Sequence, residues 1–253
     1  MRHHSTTLVA DRRIEGVELA GDRERPPLVL LHEGLGSVGL WRGFPEALRA
    51  ATGLRVLAFS RFGHGRSERP PTPRTPAFFH EEALDVLPVL LAQHDAREPI
   101  LVGHSDGGSI ALIHASRHPT RGLVLLAPHV LVEERTVAAI RSTRKSYEDG
   151  ELRERMARHH DDPDAAFWGW CRVWLDPAFR PWTLEAEAEQ VTVPTLLIQG
   201  ADDPYGSLDQ LDRIQARVRG PARRVVLPGG HAPHVEHEAA VLAAIAAFTA
   251  DLA

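Results

Sequence analysis

Residues 100–110 read ILVGHSDGGSI. A short apolar run enters Gly103-His104-Ser105-Asp106-Gly107, and a stretch with Ala, Ile and Leu at helical spacing, residues 109–117, follows it. Strand, sharp turn and helix form the setting in which G-x-S-x-G exposes a serine. So tight a turn forces the serine into a strained backbone conformation, and the positions two residues away must lack bulky side chains. The hydroxyl then stands clear of the sheet at a helix N-terminus, whose dipole favours developing negative charge. Ser105 is therefore the candidate nucleophile.

A serine hydroxyl needs a base, and the base needs an orienting acid. After such an elbow both are expected downstream, acid before histidine, each just past a strand. The run 195–198 leads into QGADDPYG, where Asp203 is the candidate acid and Asp202 its rival. The run 224–227 leads into PGGHAPHVEHEAA. His231 sits on the glycine-rich loop directly after that run and is the candidate base; His234 and His237 fall where the last helix begins. Glu133 or Glu134 is a remote alternative acid. An oxyanion needs two converging backbone N–H groups. One is expected from Asp106, the other from Glu33 or Gly34 in LLHEGLGSVGLW, with His32 bracing that loop.

Further out, 6–19 alternates and reads as an opening hairpin. Leu28–Leu31, Val56–Phe59, 100–102, 123–126, 195–198 and 224–227 are short continuous apolar runs, the mark of strands buried on both faces of a mostly parallel sheet. Helical patterns at 41–51, 79–94 (with Pro88 as a kink), 109–117, 207–218 and 238–252 lie among them, giving an α/β sheet with helices on both faces. The alternation stops between 130 and 190. Candidate helices at 132–146, 152–160 and 165–175 read as an insertion over the strand ends, too long for a single crossover. The division is thus 1–130 and 191–253 as core, and 131–190 as cap.

The chain has 253 residues, a formal net charge of −5 and one cysteine, Cys171. No basic footprint points to nucleic acid. A lone cysteine excludes an internal disulfide and fits a reducing compartment. No apolar run suits a leader peptide or a membrane span, so a soluble, cytoplasmic protein is expected. The 15 histidines form no HExxH or Cys/His cluster; surface or capping roles are expected of them, and no metal.

These motifs, in this order, resemble the α/β-hydrolase superfamily from the first strand to the last helix. LHEGLGS…W is similar to its oxyanion loop, SRFGHGRS (60–67) to its D-x-x-G-x-G-x-S turn, GHSDGG to its elbow, QGADDPYG to its acid turn and PGGHAPHVEH to its histidine loop. The resemblance implies an eight-stranded, mostly parallel sheet with a helical cap after the sixth strand. It also implies a small capped enzyme without cofactor, acting on esters, thioesters, lactones or activated carbon–carbon bonds. Three positions depart from the pattern. Ser60 stands where the family usually has Asp. Glu33 stands where glycine is frequent, with an arginine salt bridge as its expected partner. Asp106 stands where Met or Gln is frequent. Glu33 and Asp106 together hint at a polar or cationic substrate group.

Residues 165–182, AAFWGWCRVWLDPAFRPW, hold four of the five tryptophans. Phe167, Trp170 and Trp174 fall on one helical face and suit either core packing or an apolar lid over Ser105. Trp168, Trp170, Trp174 and His129 are the substrate-binding candidates. The expected partner is a small-molecule substrate, with neither nucleic acid nor membrane, and a homodimer is left open. The rival functions are a C–C hydrolase, a cofactor-free lyase or oxygenase, a perhydrolase, or a hydrolase-like ligand receptor.

Overall fold

The apolar runs become the centre of one eight-stranded sheet in the computed structural model, which describes residues 2–252. The strands are β1 (Arg2–Val9), β2 (Arg12–Leu19), β3 (Leu28–Leu31), β4 (Val56–Phe59), β5 (Ile100–His104), β6 (Gly122–Leu126), β7 (Thr195–Gly200) and β8 (Ala222–Leu227). Their spatial order is β1-β2-β4-β3-β5-β6-β7-β8. The pairs β1/β2 and β2/β4 are antiparallel, and every later pair is parallel.

Every residue of β3 to β7 is buried. Side chains alternate along each strand. Val29, Leu31, Leu57, Phe59, Leu101, Leu123 and Leu125 enter one core, while Leu28, Leu30, Val56, Ala58, Ile100, Val102, Val124 and Leu126 enter the other. Helices cover both faces, which is why these strands carry no polar alternation.

The helices are α1 (Phe44–Thr52), α2 (Phe78–Glu81), α3 (Leu87–Gln93), α4 (Asp106–Ala115), α5 (Glu134–Glu148), α6 (Glu151–Met156), α7 (Pro163–Leu175), α8 (Glu185–Ala188), α9 (Asp209–Arg217), α10 (Pro233–Glu236) and α11 (Glu238–Ala250). Phe44 and Leu48 of α1 and Val241, Ile245 and Phe248 of α11 fill the second core. Between β6 and β7 the described residues form helices α5 to α8 joined by loops, with a single bridge joining Leu131 to Thr183 and no strand. Tyr147, Met156, Phe167, Trp174 and Phe179 from this segment share the first core with the sheet.

Three local outcomes differ from the sequence patterns. The helix expected over 79–94 is interrupted by a π-helical turn, Glu82–Val86, just before Pro88. Proline has no N–H to give the carbonyl four residues back, and the wider turn accommodates that loss. The opening hairpin is longer than 6–19. Its turn residues Ala10 and Asp11 both have positive φ, 49° and 59°, a conformation that suits the strand twist but that neither residue advertises. The helix after Ser105 starts at Asp106, directly on the serine, although two glycines open it.

The replacement at Ser60 also finds its explanation. Glu15 of β2 supplies a carboxylate there: its Oε2 accepts the Ser60 hydroxyl at 2.7 Å and the Arg66 N–H at 3.1 Å. Ser60 Oγ in turn accepts the Val38 N–H at 2.9 Å. Ser60 is fully buried, so removing Glu15 strands its hydroxyl. Glu15→Ala is expected to lower unfolding free energy by about 1–3 kcal/mol in urea titration, the cost of orphaned donors.

Candidate active site

The carboxyl ends of β5, β7 and β8 bring three distant side chains together. Ser105 sits at φ 53° and ψ −118° between β5 and α4, a conformation that L side chains avoid. Its N–H bonds Leu126 O of β6 at 2.9 Å, while the N–H groups of Gly108 and Ser109 close on its own carbonyl. The flanking glycines are obligatory. A Cβ on Gly103 would lie 2.2 Å from Gly107 O, and one on Gly107 would lie 2.0 Å from Leu31 O.

His231 Nε2 lies 2.9 Å from Ser105 Oγ, and His231 Nδ1 lies 2.8 Å from Asp203 Oδ2. A carboxylate only accepts, so Nδ1 carries the proton and Nε2 is free to accept from the serine. Asp203 is almost fully buried, and its Oδ1 accepts the Tyr205 N–H at 2.8 Å. Burial pushes the Asp203 carboxyl up, but the His231 hydrogen bond and the Tyr205 N–H outweigh it and hold it below its ordinary range. Burial also lowers His231, against the pull of Asp203, so the imidazole is neutral at pH 7. Asp202, the rival acid, is exposed. Glu133 instead braces the acid turn, its Oε2 accepting from Ser207 N at 2.8 Å and Gln210 Nε2 at 2.7 Å. Glu134 pairs with Arg180 at 2.9 Å.

His234, the rival base, is buried in α10 against Trp41, Phe44 and His104, with its pKa pushed down to about 3 by burial. His237 lies at the start of α11. The base loop is tied by residues that no motif flagged. Glu236 accepts the Gly230 N–H at 2.7 Å, and His104 Nε2–H donates to His231 O at 2.7 Å.

Glu33 does not take the expected arginine partner. Its carboxylate lies 3.6 Å from His104 Nδ1. Burial raises its pKa, yet the His104 imidazole more than offsets this and holds the carboxyl below its usual range. Arg61 bonds the backbone carbonyls of His32 and Glu33 instead. A turn closed by Gly36 N–H on Glu33 O at 3.0 Å leaves the intervening Gly34 N–H outside the turn's own hydrogen bond. His32 braces this loop as expected: its Nε2 accepts the Arg61 N–H at 3.0 Å and its Nδ1–H donates to Glu33 O at 2.7 Å.

The tryptophans separate. Trp170 lies over the loop after β3, where a Cβ on Gly34 would sit 2.2 Å from its indole nitrogen. One turn later, Trp174 Nε1–H donates to Asp106 Oδ1 at 3.2 Å and its ring meets His129 at 5.1 Å. His129 is itself buried and 5.7 Å from the His231 ring. Asp106 Oδ2 is buried without a partner, and burial pushes its pKa up to about 6 despite the nearby Arg61. Trp168 is elsewhere: Arg144 and Arg172 each stand 5.7 Å from its ring, with Tyr147 at its edge, so it packs α5 against α7. Phe167 stacks on Tyr147 at 3.7 Å and is core. The histidines also depart from the surface role expected of them. His32, His64, His104, His114, His129, His160 and His234 are buried, and several bond backbone carbonyls.

Residues 26–162, more than half of the chain, match the family model described as alpha/beta hydrolase fold. The chain belongs to the α/β-hydrolase family. The (lyso)-N-acylphosphatidylethanolamine lipase of Homo sapiens is 35% identical over 107 residues, 42% of this chain and 31% of the lipase. The sn-1-specific diacylglycerol lipase ABHD11 of Danio rerio is 31% identical over 99 residues, 39% of this chain and 30% of that protein. This α/β hydrolase thus spans about a third of the length of the curated relatives it matches. Among solved structures, a hydrolase from Pseudomonas aeruginosa PA01 superimposes with a TM-score of 0.76 at 25% identity, covering 97% of this chain and 98% of the other. The enol-lactonase of Burkholderia xenovorans LB400 gives 0.76 at 22% identity, covering 97% and 100%, a likeness of fold. Among the described residues no helix is long and apolar enough to cross a membrane.

Proposed function

We propose that this α/β hydrolase is a cofactor-free serine hydrolase that cleaves a small carboxylic ester, thioester or lactone through an acyl-enzyme. The hydrogen-bonded line Ser105–His231–Asp203, at 2.9 and 2.8 Å, carries the reading. Ser105 Oγ attacks the substrate carbonyl carbon as its proton passes to His231 Nε2, and the carbonyl π electrons move to oxygen. Asp203 stabilises the imidazolium and keeps the ring in the useful tautomer. The N–H groups of Asp106 and of Glu33 or Gly34 receive the oxyanion. Collapse expels the alcohol or thiol, which takes the proton from His231. Water then repeats the sequence and releases the acid, restoring Ser105.

The segment 131–190 acts as a cap. Trp170 packs on Gly34 and Trp174 on Asp106, so α7 keeps water from the two oxyanion loops. Lipase names among the relatives favour an ester bond over a carbon–carbon bond. The lone buried Cys171, its thiol pushed up to about 11 by burial, is inert and suits the cytoplasm.

The test is steady-state turnover of p-nitrophenyl esters, thioesters and lactones of graded acyl size and charge. Many turnovers per protein are expected, falling to background in Ser105→Ala. A single burst with retained product would instead indicate a ligand receptor.

A further inference from the structure

The carbonyls of the loop after β3, from His32 to Leu35, each accept from a side chain. Arg61 gives Nη1–H to His32 O and Nη2–H to Glu33 O, the latter at 2.8 Å. His64 Nε2–H donates to Gly34 O at 2.9 Å, and His160 Nε2–H donates to Leu35 O at 3.0 Å. His160 Nδ1 accepts the Gly65 N–H at 3.0 Å, which leaves its proton on Nε2. His64 Nδ1 lies 3.1 Å from both the Arg74 guanidinium and Phe62 O, whereas Nε2 faces only the Gly34 carbonyl, so the single proton of the neutral ring sits on Nε2 and Nδ1 accepts from Arg74.

A trans peptide unit is planar, so each N–H points opposite to the carbonyl before it. Fixing His32 O aims the Glu33 N–H, and fixing Glu33 O aims the Gly34 N–H. The direction follows from the sheet order. β3 lies between β4 and β5. Arg61 and His64 follow β4, whereas Ser105 follows β5, so carbonyls drawn to the β4 side leave their amides facing the serine.

Arg61 is a costly choice for packing alone. Its guanidinium is buried, its Nε has no partner, and its other donors go to neutral carbonyls. Taking a cation out of water costs several kcal/mol. Asp106, Glu82 and Glu33 help to hold the charge there.

We propose that Arg61, aided by His64, is the positioning residue of the oxyanion hole: it touches no substrate and fixes the Glu33 and Gly34 N–H groups toward the oxyanion. His160, from the segment joining α6 and α7, extends the same hold to Leu35 and ties the loop to the helical segment above it. This inference rests on the serine-hydrolase reading.

The test compares a p-nitrophenyl ester with its thionoester, whose sulfur is a weak acceptor and draws little from such a hole. In Arg61→Met, kcat for the ester is expected to fall about 100-fold, the cost of a donor misplaced by about 1 Å. KM stays near wild type and the thionoester rate falls much less, so the ester-to-thionoester ratio drops. Arg61→Lys, which keeps the cation but not the two-pronged fork, should show a smaller drop in that ratio and serves if the methionine variant does not fold. An unchanged ratio in a folded variant, or equal losses on both substrates, would overturn the assignment of Arg61 alone. A wild-type protein that forms no adduct at Ser105 would overturn the hydrolase reading, and this proposal with it.

Discussion

His231→Ala is expected to lower kcat by roughly 10³-fold or more, because a triad acts as a unit and the loss of its base removes most of its effect. The fold should survive. The imidazole stands at the end of a loop with its side chain 17% exposed, and the loop is held independently by Glu236. Circular dichroism and the urea midpoint are the checks. His234→Ala should behave in the opposite way: its ring is packed among Trp41, Phe44 and His104, so stability falls while turnover stays near wild type. The pH profile gives an independent sign. The proposed mechanism needs neutral His231, and burial lowers its pKa below the ordinary imidazole value. The acidic limb of kcat/KM is therefore expected below pH 6.5, with activity lost as pH falls through it. Asp203→Asn removes the influence that raises His231, so the limb should move further down while kcat falls by roughly 10⁴-fold, as when a triad loses its orienting carboxylate.

Gly107→Ala carries the largest expected effect on folding. The new Cβ would stand 2.0 Å from Leu31 O and 2.7 Å from His32 O. Both obstacles are backbone, and β3 cannot retreat because it is paired with β4 and β5. A loss above about 3 kcal/mol is expected, beyond the usual range for overpacking, where flexible side chains give way. Gly43→Ala is the control. Nothing lies within 4 Å of its would-be Cβ and its φ is −87°, so a gain of about 0.4–1 kcal/mol is expected from the stiffer unfolded chain. Urea titration of the two variants beside wild type measures both.

What the sequence disclosed follows from how local each signal is. The central strands are legible because a strand buried on both faces must be apolar throughout. The elbow is legible because its sterics demand glycine within two residues of the serine. Asp203 could be preferred to Asp202 only by counting along the turn; in the fold Asp203 is buried and bonded to His231, and Asp202 is exposed. Other features depend on partners far along the chain. Glu15 takes the place of the carboxylate missing at Ser60, yet it lies on the opening hairpin and looks like any outward-facing strand residue. Arg61 sits in a motif marked by its glycines and serines, and its own partners are backbone carbonyls, which no residue type reveals. The tryptophans of α7 show the same limit. Helical spacing groups Trp170 with Trp174, but only the packing of α5 turns Trp168 away to Arg144 and Arg172. Glu33 was expected to pair with an arginine; Arg61 is indeed adjacent, but its donors are committed to the main chain, which leaves His104 to face the carboxylate.

The most direct measurement is intact-mass analysis and peptide mapping after reaction with a fluorophosphonate. One covalent adduct per chain on Ser105 is predicted, absent in Ser105→Ala and formed far more slowly in His231→Ala. A folded protein that takes up no reagent, or carries it on another residue, would contradict the account.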